Sequence, residues 1–234
     1  MAARNLASAV MTLQWKPAQA LSRVALEGEL VRLEPVDVAQ HADQLFAAQS
    51  SAPELWEYLP YGPFANETAF RVWLTERAAT SDPLFYAIIE RKSGRALGMA
   101  SFLRIEQGHG VIEVGHIWYS PALQRTRLAT DAMYVMARHV FDDLGYRRYE
   151  WKCNALNEPS RRAAVRLGFT FEGVFRQHMV IKGENRDTAW YSMLDGEWPA
   201  AKAAFEAWLR PDNFDADGRQ LRSLAELRMV PGQR

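Results

Sequence analysis

Between residues 111 and 155 the hydrophobic period of the chain changes twice, and this constrains the fold more than any other feature. Val111–Ser120 reads as a strand. After Pro121, the residues Met133, Met136, Ala137, Val140, Phe141 and Leu144 form one apolar stripe at helical spacing, which Gly145 ends. Tyr149, Trp151, Cys153 and Ala155 then alternate with Glu150, Lys152 and Asn154, a return to strand spacing. A strand, a helix and a strand in this order imply a right-handed crossover and a parallel pairing.

The flanking segments predict antiparallel neighbours. Glu29–Pro35 alternates as a strand, and Asp37 caps a helix carrying Val38, His41, Ala42, Leu45 and Phe46. Asn66 opens a second helix with Phe70, Trp73, Leu74 and Arg77. Leu84–Glu90, Ala96–Ile105 and Val111–Ser120 are joined by short Gly-containing turns, the signature of a meander. Downstream, Asn157-Glu158-Pro159-Ser160 begins a helix that Gly168 stops. Phe171–Ile181 and Asp187–Leu194 make a hairpin about Lys182-Gly183-Glu184-Asn185. The expected fold is mixed α+β: a central, mostly antiparallel sheet with one parallel pair, flanked by helices. Residues 28–196 form its domain, between an N-terminal arm (1–27) and a C-terminal helix and tail (197–234). Trp198, Phe205, Trp208 and Leu209 mark that helix. Residues 1–26 carry Arg4, Lys16 and Arg23 without an acid, as a transit peptide does. An over-long start before Met11 is the plainer reading.

Composition excludes several classes of function. The chain has 28 Lys+Arg against 28 Asp+Glu, whereas phosphate-neutralising nucleic-acid binders concentrate positive charge. No apolar run approaches the ~20 residues that span a bilayer. Cys153 is the single cysteine, which fits a reducing cytoplasm. His41, His109, His116, His139 and His178 fall in five separate elements, so no metal-ligand spacing exists. A homodimer stays open.

Chemistry belongs at the parallel step. Gln124-Arg125-Thr126-Arg127-Leu128-Ala129 joins the strand to the helix. A turn feeding a helix N-terminus presents free backbone N–H groups and a partial positive charge, which suits a phosphate or pyrophosphate. A solvated basic turn has the same composition.

The run from Val111 to Leu194 resembles the GNAT superfamily of acetyl-CoA-dependent N-acetyltransferases. Within it, the chain is similar to the branch containing the ribosomal-protein N-terminal acetyltransferases. That family's pyrophosphate loop reads Q/R-x-x-G-x-G/A; here Gln124 and Ala129 fill the ends, and Arg127 stands where glycine is usual. Asn157, Ser160 and Arg166-Leu167-Gly168-Phe169 match the branch's N-x-x-S…LGF signature. Gly173, Arg186-Asp187 and Trp190-Tyr191-Ser192 fit its terminal hairpin. The resemblance covers residues 28–196 and implies acetyl-CoA as co-substrate, with no metal. Its pantetheine would lie between splayed strands Val111–Ser120 and Tyr149–Ala155, where a backbone N–H near Ile117 polarises the thioester carbonyl. Ile117, Tyr119, the six loop residues from Gln124 to Ala129 (with Thr126 and Leu128 among them) and Asn157 are the implied contacts.

Acetyl transfer to an amine needs a base, a donor for the developing oxyanion and a proton for the departing thiolate. Glu113 is the candidate base. It lies seven residues before Ser120, a spacing similar to that of the catalytic glutamate in the histone-acetylating branch. On a regular strand it shares a face with Gly115, Ile117 and Tyr119, while His116, a rival base, points oppositely. An apolar strand would raise its pKa; an ion pair within the sheet is the competing role. Ser160 resembles the branch's acid, because the tyrosine of many GNAT enzymes is replaced by Ala164. A capping role would equally explain Ser160 and Asn157. The ribosomal branch's glutamate base falls at Met179, so the base must be Glu113 or an ordered water; His178 is predicted on the other face from Met179. In Glu54–Phe64, Trp56, Tyr58, Tyr61 and Phe64 would line an amine pocket, with Glu54 or Glu57 attracting a cation, unless these aromatics are core. The implied activity is acetyl transfer to a primary amine of a small molecule or a peptide N-terminus. The alternative is a catalytically silent CoA sensor, or an interaction domain using the tail from Glu197.

Overall fold

In the computed structural model, which describes residues 13–229, the strand-forming runs join one sheet. Its strands are β1 (Leu26–Glu27), β2 (Val31–Pro35), β3 (Leu84–Glu90), β4 (Ala96–Glu106), β5 (Val111–Tyr119), β6 (Arg148–Asn154), β7 (Thr170–Ile181) and β8 (Glu184–Leu194). They lie in the order β1-β2-β3-β4-β5-β6-β8-β7. Every neighbouring pair is antiparallel except β5–β6, which is parallel, as the double change of period requires.

Side-chain caps set the helix starts. Asp37 accepts from the Gln40 N–H ahead of α1 (Val38–Gln49), and Asn66 from the Ala69 N–H ahead of α2 (Glu67–Ala78). Thr126 and Asn157 do the same for α3 (Arg127–Arg138) and α4 (Glu158–Leu167). The apolar stripe of α3 continues into a π-type turn, His139–Asp143, and ends near Gly145 at φ 70°. Helices α5 (Trp198–Leu209) and α6 (Leu224–Arg228) follow the sheet. None of the described helices is long and apolar enough to cross a membrane, and the described residues hold no group of three His, Cys, Asp or Glu placed for a metal.

The sheet separates two cores. On one face, Phe102, Ile112, Val114 and Tyr149 pack against Met133 and Met136 of α3 and Val140 of the turn that follows it. On the other, Phe85, Met99 and Trp118 meet Leu45 of α1 and Phe70, Trp73 and Leu74 of α2. The segments expected to be additions join the first core. Leu26 pairs with Leu33, the Ala18 N–H donates to the Gln107 carbonyl, and the Trp15 indole donates to the Gly108 carbonyl at 2.8 Å. At the other end, Trp198 stacks on Phe141 and donates to Asp142 at 2.6 Å. Residues 1–12, which hold most of the transit-peptide or over-long-start reading, lie outside the described residues.

A buried carboxylate that the sequence did not flag locks α3 to the sheet edge. Asp131 accepts from the Leu30 and Val31 N–H groups at 2.6 and 3.0 Å, and the close approach leaves no room for a side chain at Gly28.

Candidate active site

β5 and β6 pair from Val111↔Arg148 to Val114↔Trp151 and then part. Gly115–Tyr119 and Lys152–Asn154 therefore run on either side of an open wedge. A groove of about 1190 Å³ passes through it, from the N-terminus of α3 on one face to the β7–β8 hairpin on the other. That volume exceeds the ~300–1,000 Å³ of a site for one drug-sized ligand.

A β-bulge opens the wedge. His116 adopts φ 50°, and His116 and Ile117 together face the single residue Ala100 of β4. A left-handed non-glycine residue costs ~1–2 kcal/mol, and here packing holds it. The Tyr61 hydroxyl lies 2.8 Å from His116 Nδ1, and both the Tyr61 and Phe85 rings pack on the imidazole. The bulge changes the parity of β5. Ile112 and Val114 face α3, Glu113 and Gly115 face the other way, and beyond the bulge Ile117 and Tyr119 face α3 while Trp118 enters the second core. The regular-strand expectation is thus corrected: Glu113 does not share a face with Ile117 and Tyr119, and His116 lies on the Glu113 side. Burial, with the fields of Arg77, Arg186 and Arg104, lowers the His116 pKa to about 4, so its ring is neutral at pH 7.

At the α3 end, the Gln124 side chain donates to the Tyr119 carbonyl at 3.0 Å and Arg125 takes φ 59°. Thr126 caps the helix, leaving the Arg127 and Leu128 N–H groups without helical partners; the Ala129 N–H bonds to Thr126 Oγ1. Leu128 packs its side chain into the core. The Arg127 side chain does not serve as a free loop cation. It donates to the Leu209 carbonyl and lies 4.3 Å over the Phe214 ring. A side chain fits the usual glycine position because it leaves the loop sideways, toward the C-terminal segment. That segment walls this end of the groove: Trp208, Phe214 and Gln220 line it, and Arg166 lies 4.8 Å over Trp208 while donating to Thr130. None of this wall was anticipated, although Trp208 and Phe214 were visible aromatics.

Midway, Asn157 Oδ1 accepts from the Ser160 N–H at 3.1 Å, so Asn157, not Ser160, is the cap; its amide NH₂ remains available to the groove. Trp151 Nε1 donates to Ser160 Oγ at 3.0 Å, which leaves the hydroxyl proton free to point elsewhere. Ala164 is fully buried, so no tyrosine fits there.

At the far end, Glu113 Oε2 lies 3.0 Å from Lys152 Nζ and 3.1 Å from Arg104 Nε. Lys152 also meets Glu150 at 2.7 Å and sits 3.7 Å over the Trp190 ring. Arg148 joins Glu150 to Glu172, whose carboxyl this pairing holds at about 2. Cations and anions so alternate across the sheet. Burial nonetheless raises the Glu113 pKa above the ordinary carboxylate range, against the opposing pull of Lys152 and Arg104.

The predicted aromatic wall divides. Trp56 is fully buried, its indole bonded to Gln49 at 2.9 Å and packed on Trp73 and Trp118; it belongs to the core and does not line the groove. Tyr61 supports His116, and Tyr58 lines the groove, with Glu54 and Glu57 at its rim. A second bulge, with Gln177 at φ 51°, places three residues of β7 opposite Asp187. His178 and Met179 therefore both line the groove, contrary to the regular alternation expected of them; His178 bonds to Thr188 at 2.9 Å. Arg104 and Lys152 were missed as site residues, and Arg186 was read only as a motif position.

Comparison with known proteins agrees with this geometry. A family model described as an acetyltransferase (GNAT) domain matches residues 31–170. A crystal structure of a GCN5-related N-acetyltransferase from Brucella melitensis is 48% identical, with a TM-score of 0.91, covering 93% of this chain and 99% of that one. A GNAT-family protein from Chromobacterium violaceum is 46% identical, with a TM-score of 0.76, over 81% of this chain and 95% of that one. The ribosomal-protein-serine acetyltransferase of Escherichia coli is 27% identical over 103 residues, 44% of this chain and 57% of that protein. The chain spans less than two thirds of the length of the curated ribosomal acetyltransferases it matches.

Proposed function

The chain belongs to the acetyltransferase (GNAT) family, and we propose that it transfers an acetyl group from acetyl-CoA to a primary amine, by direct attack within the wedge between β5 and β6. The observation that carries this reading is the wedge itself. Its α3 end offers unpartnered helix N–H groups for a pyrophosphate, its strand edges offer unpaired backbone to the pantetheine arm, and its far end holds a buried carboxylate.

Acetyl-CoA supplies an acetyl group activated as a thioester; the residues manage charge around it. Gln124 to Ala129 would hold the pyrophosphate, and Asn157 the pantetheine amides. Glu113 takes the proton of the acceptor ammonium, so that the amine lone pair is free; its raised pKa suits that transfer near neutral pH. The backbone N–H at the bulge near Ile117 faces the developing oxyanion. Ser160, steadied by Trp151, donates a proton to the departing thiolate and recovers one from solvent. The N–C bond forms first and moves the carbonyl electron pair onto oxygen. As the carbonyl re-forms the C–S bond breaks, and the second proton of the attacking nitrogen leaves through Glu113 once the first has passed to solvent. The buried thiol of Cys153 supports a reducing, cytoplasmic setting.

Calorimetric titration with acetyl-CoA, free CoA and adenosine tests this reading. Saturable micromolar binding of acetyl-CoA, lost in the Arg125→Ala/Asn157→Ala double variant, is expected. No binding at millimolar acetyl-CoA would overturn it.

A further inference from the structure

The acceptor-facing side of the sheet carries one cation too many. Residues alternate strictly along β8 beyond the bulged β7: Ser192 bonds Glu172, Trp190 underlies Lys152 and Thr188 bonds His178, so Arg186, two residues further, projects from the same face. Four basic side chains stand there, Arg104, Lys152, Arg148 and Arg186, against three acids, Glu113, Glu150 and Glu172. The first three bases are all engaged in the ion-pair chain. Among the described residues Arg186 has no carboxylate partner, and its Nε is buried without any hydrogen bond while its side chain lines the groove. The rim acids Glu54 and Glu57 are exposed and sit across the groove on another element.

Arg186 is half-buried with its Nε enclosed, and a guanidinium so placed without a partner is costly unless an anion reaches it. The co-substrate does not supply one at this end, because its phosphates belong at the N-terminus of α3 and its thioester is neutral. The anion must come with the acceptor. Nor is the groove mouth open-ended. Lys182 Nζ, at the tip of the β7–β8 hairpin, donates to the Trp56 carbonyl at 2.7 Å and so bridges the mouth to the 3-10 turn Pro53–Trp56. A bridged mouth favours a small acceptor over an extended peptide.

Resting on the acetyltransferase reading, we infer that the acceptor is a small amine bearing a carboxylate or phosphate a few bonds from its nitrogen, with Arg186 gripping that anion while Glu113 faces the ammonium. The planar fork of a guanidinium matches either group in two parallel hydrogen bonds.

Matched acceptor pairs test the inference, with thiol release as the readout. β-Alanine is compared with β-alaninamide, glycine with glycinamide and O-phosphoethanolamine with ethanolamine; triglycine amide represents peptides. In the wild type the anionic member of at least one pair should have the higher kcat/KM by about tenfold or more. The carboxylate and phosphate pairs distinguish the two anions. Arg186→Met should collapse that ratio toward one, Arg186→Lys should restore part of it, and Arg176→Met, an exposed neighbour on β7, should leave it unchanged. Acetyl-CoA binding measured on each preparation reports that the fold is intact. Turnover of neutral amines or triglycine amide without any anionic preference, or a preference that survives Arg186→Met, overturns the inference and leaves the enzyme reading standing. Acetyl-CoA binding with no turnover of any amine overturns both.

Discussion

Glu113→Gln separates the two roles open to the buried carboxylate. Were its pairing with Lys152 and Arg104 structural, removing one partner of a buried pair would cost ~3–5 kcal/mol. In a chain of this size that is a fall in Tm of about 6–20 °C, at ~2–4 °C per kcal/mol. The raised pKa argues the opposite. A carboxyl that binds its proton more tightly when folded makes a contribution to stability that is present at low pH and is lost as pH rises from its ordinary value of 4.5 through the folded value. Glutamine resembles the protonated form and carries no such penalty. At pH 8 the variant should therefore melt at or above the wild-type Tm. Its kcat should fall by about 10²–10⁴, the range for removing a general base, or ~3–5 kcal/mol of barrier. The wild-type rate should climb with pH through the Glu113 pKa, and the variant should lack that acidic limb. Calorimetric melting and a pH series of thiol release measure the two effects. A Tm lowered by 6 °C or more, with turnover within tenfold of wild type and the acidic limb intact, would refute the base assignment.

Three further outcomes follow from the geometry. Ser160→Ala should lower kcat by roughly 10²-fold with acetyl-CoA, and by much less with an acetyl thioester of an acidic thiol that leaves without protonation; equal losses would exclude the acid role. Arg127→Ala removes a charged hydrogen bond and a cation–π contact, together ~2–4 kcal/mol, and limited proteolysis should then cut after α5 while the wild type resists. Gly98→Ala would set a Cβ 2.6 Å from the Trp118 carbonyl and 2.9 Å from Leu123, which should cost ~1–3 kcal/mol and lower Tm by several degrees on thermal denaturation.

The parallel step, the meander and most helix starts were legible because each rests on local signals: the double period change over 111–155, the caps at Asp37 and Asn66, the stop at Gly145. The α3 end of the groove was legible from the loop and from Asn157, which line it. The end at Glu113 was not. A bulge at His116 depends on what β4 places opposite, and nothing in the alternation of β5 announces it, yet it decides which way Glu113, Ile117 and Tyr119 point. Trp56 and Tyr58 stand two residues apart in the same aromatic run, one fully buried and one lining the groove, and aromatic density does not tell them apart. The departure at Arg127 was visible but its reason was not, because its partner lies 82 residues away.

That separation gives the protein a timetable. On the ribosome, at ~5–20 residues per second, the loop at Arg127 is made several seconds before the Leu209 carbonyl and Phe214 ring that brace it. β8 completes the sheet earlier, by residue 194. A nascent chain thus passes through a stage in which all eight strands have been made while α5, which completes the α3-side core, and the brace behind Arg127 have not. Chains stalled or clipped in that interval would carry the complete strand order over an unfinished core and an unbraced loop, so competence to draw on the acetyl pool arrives with the segment from Trp198 to Phe214.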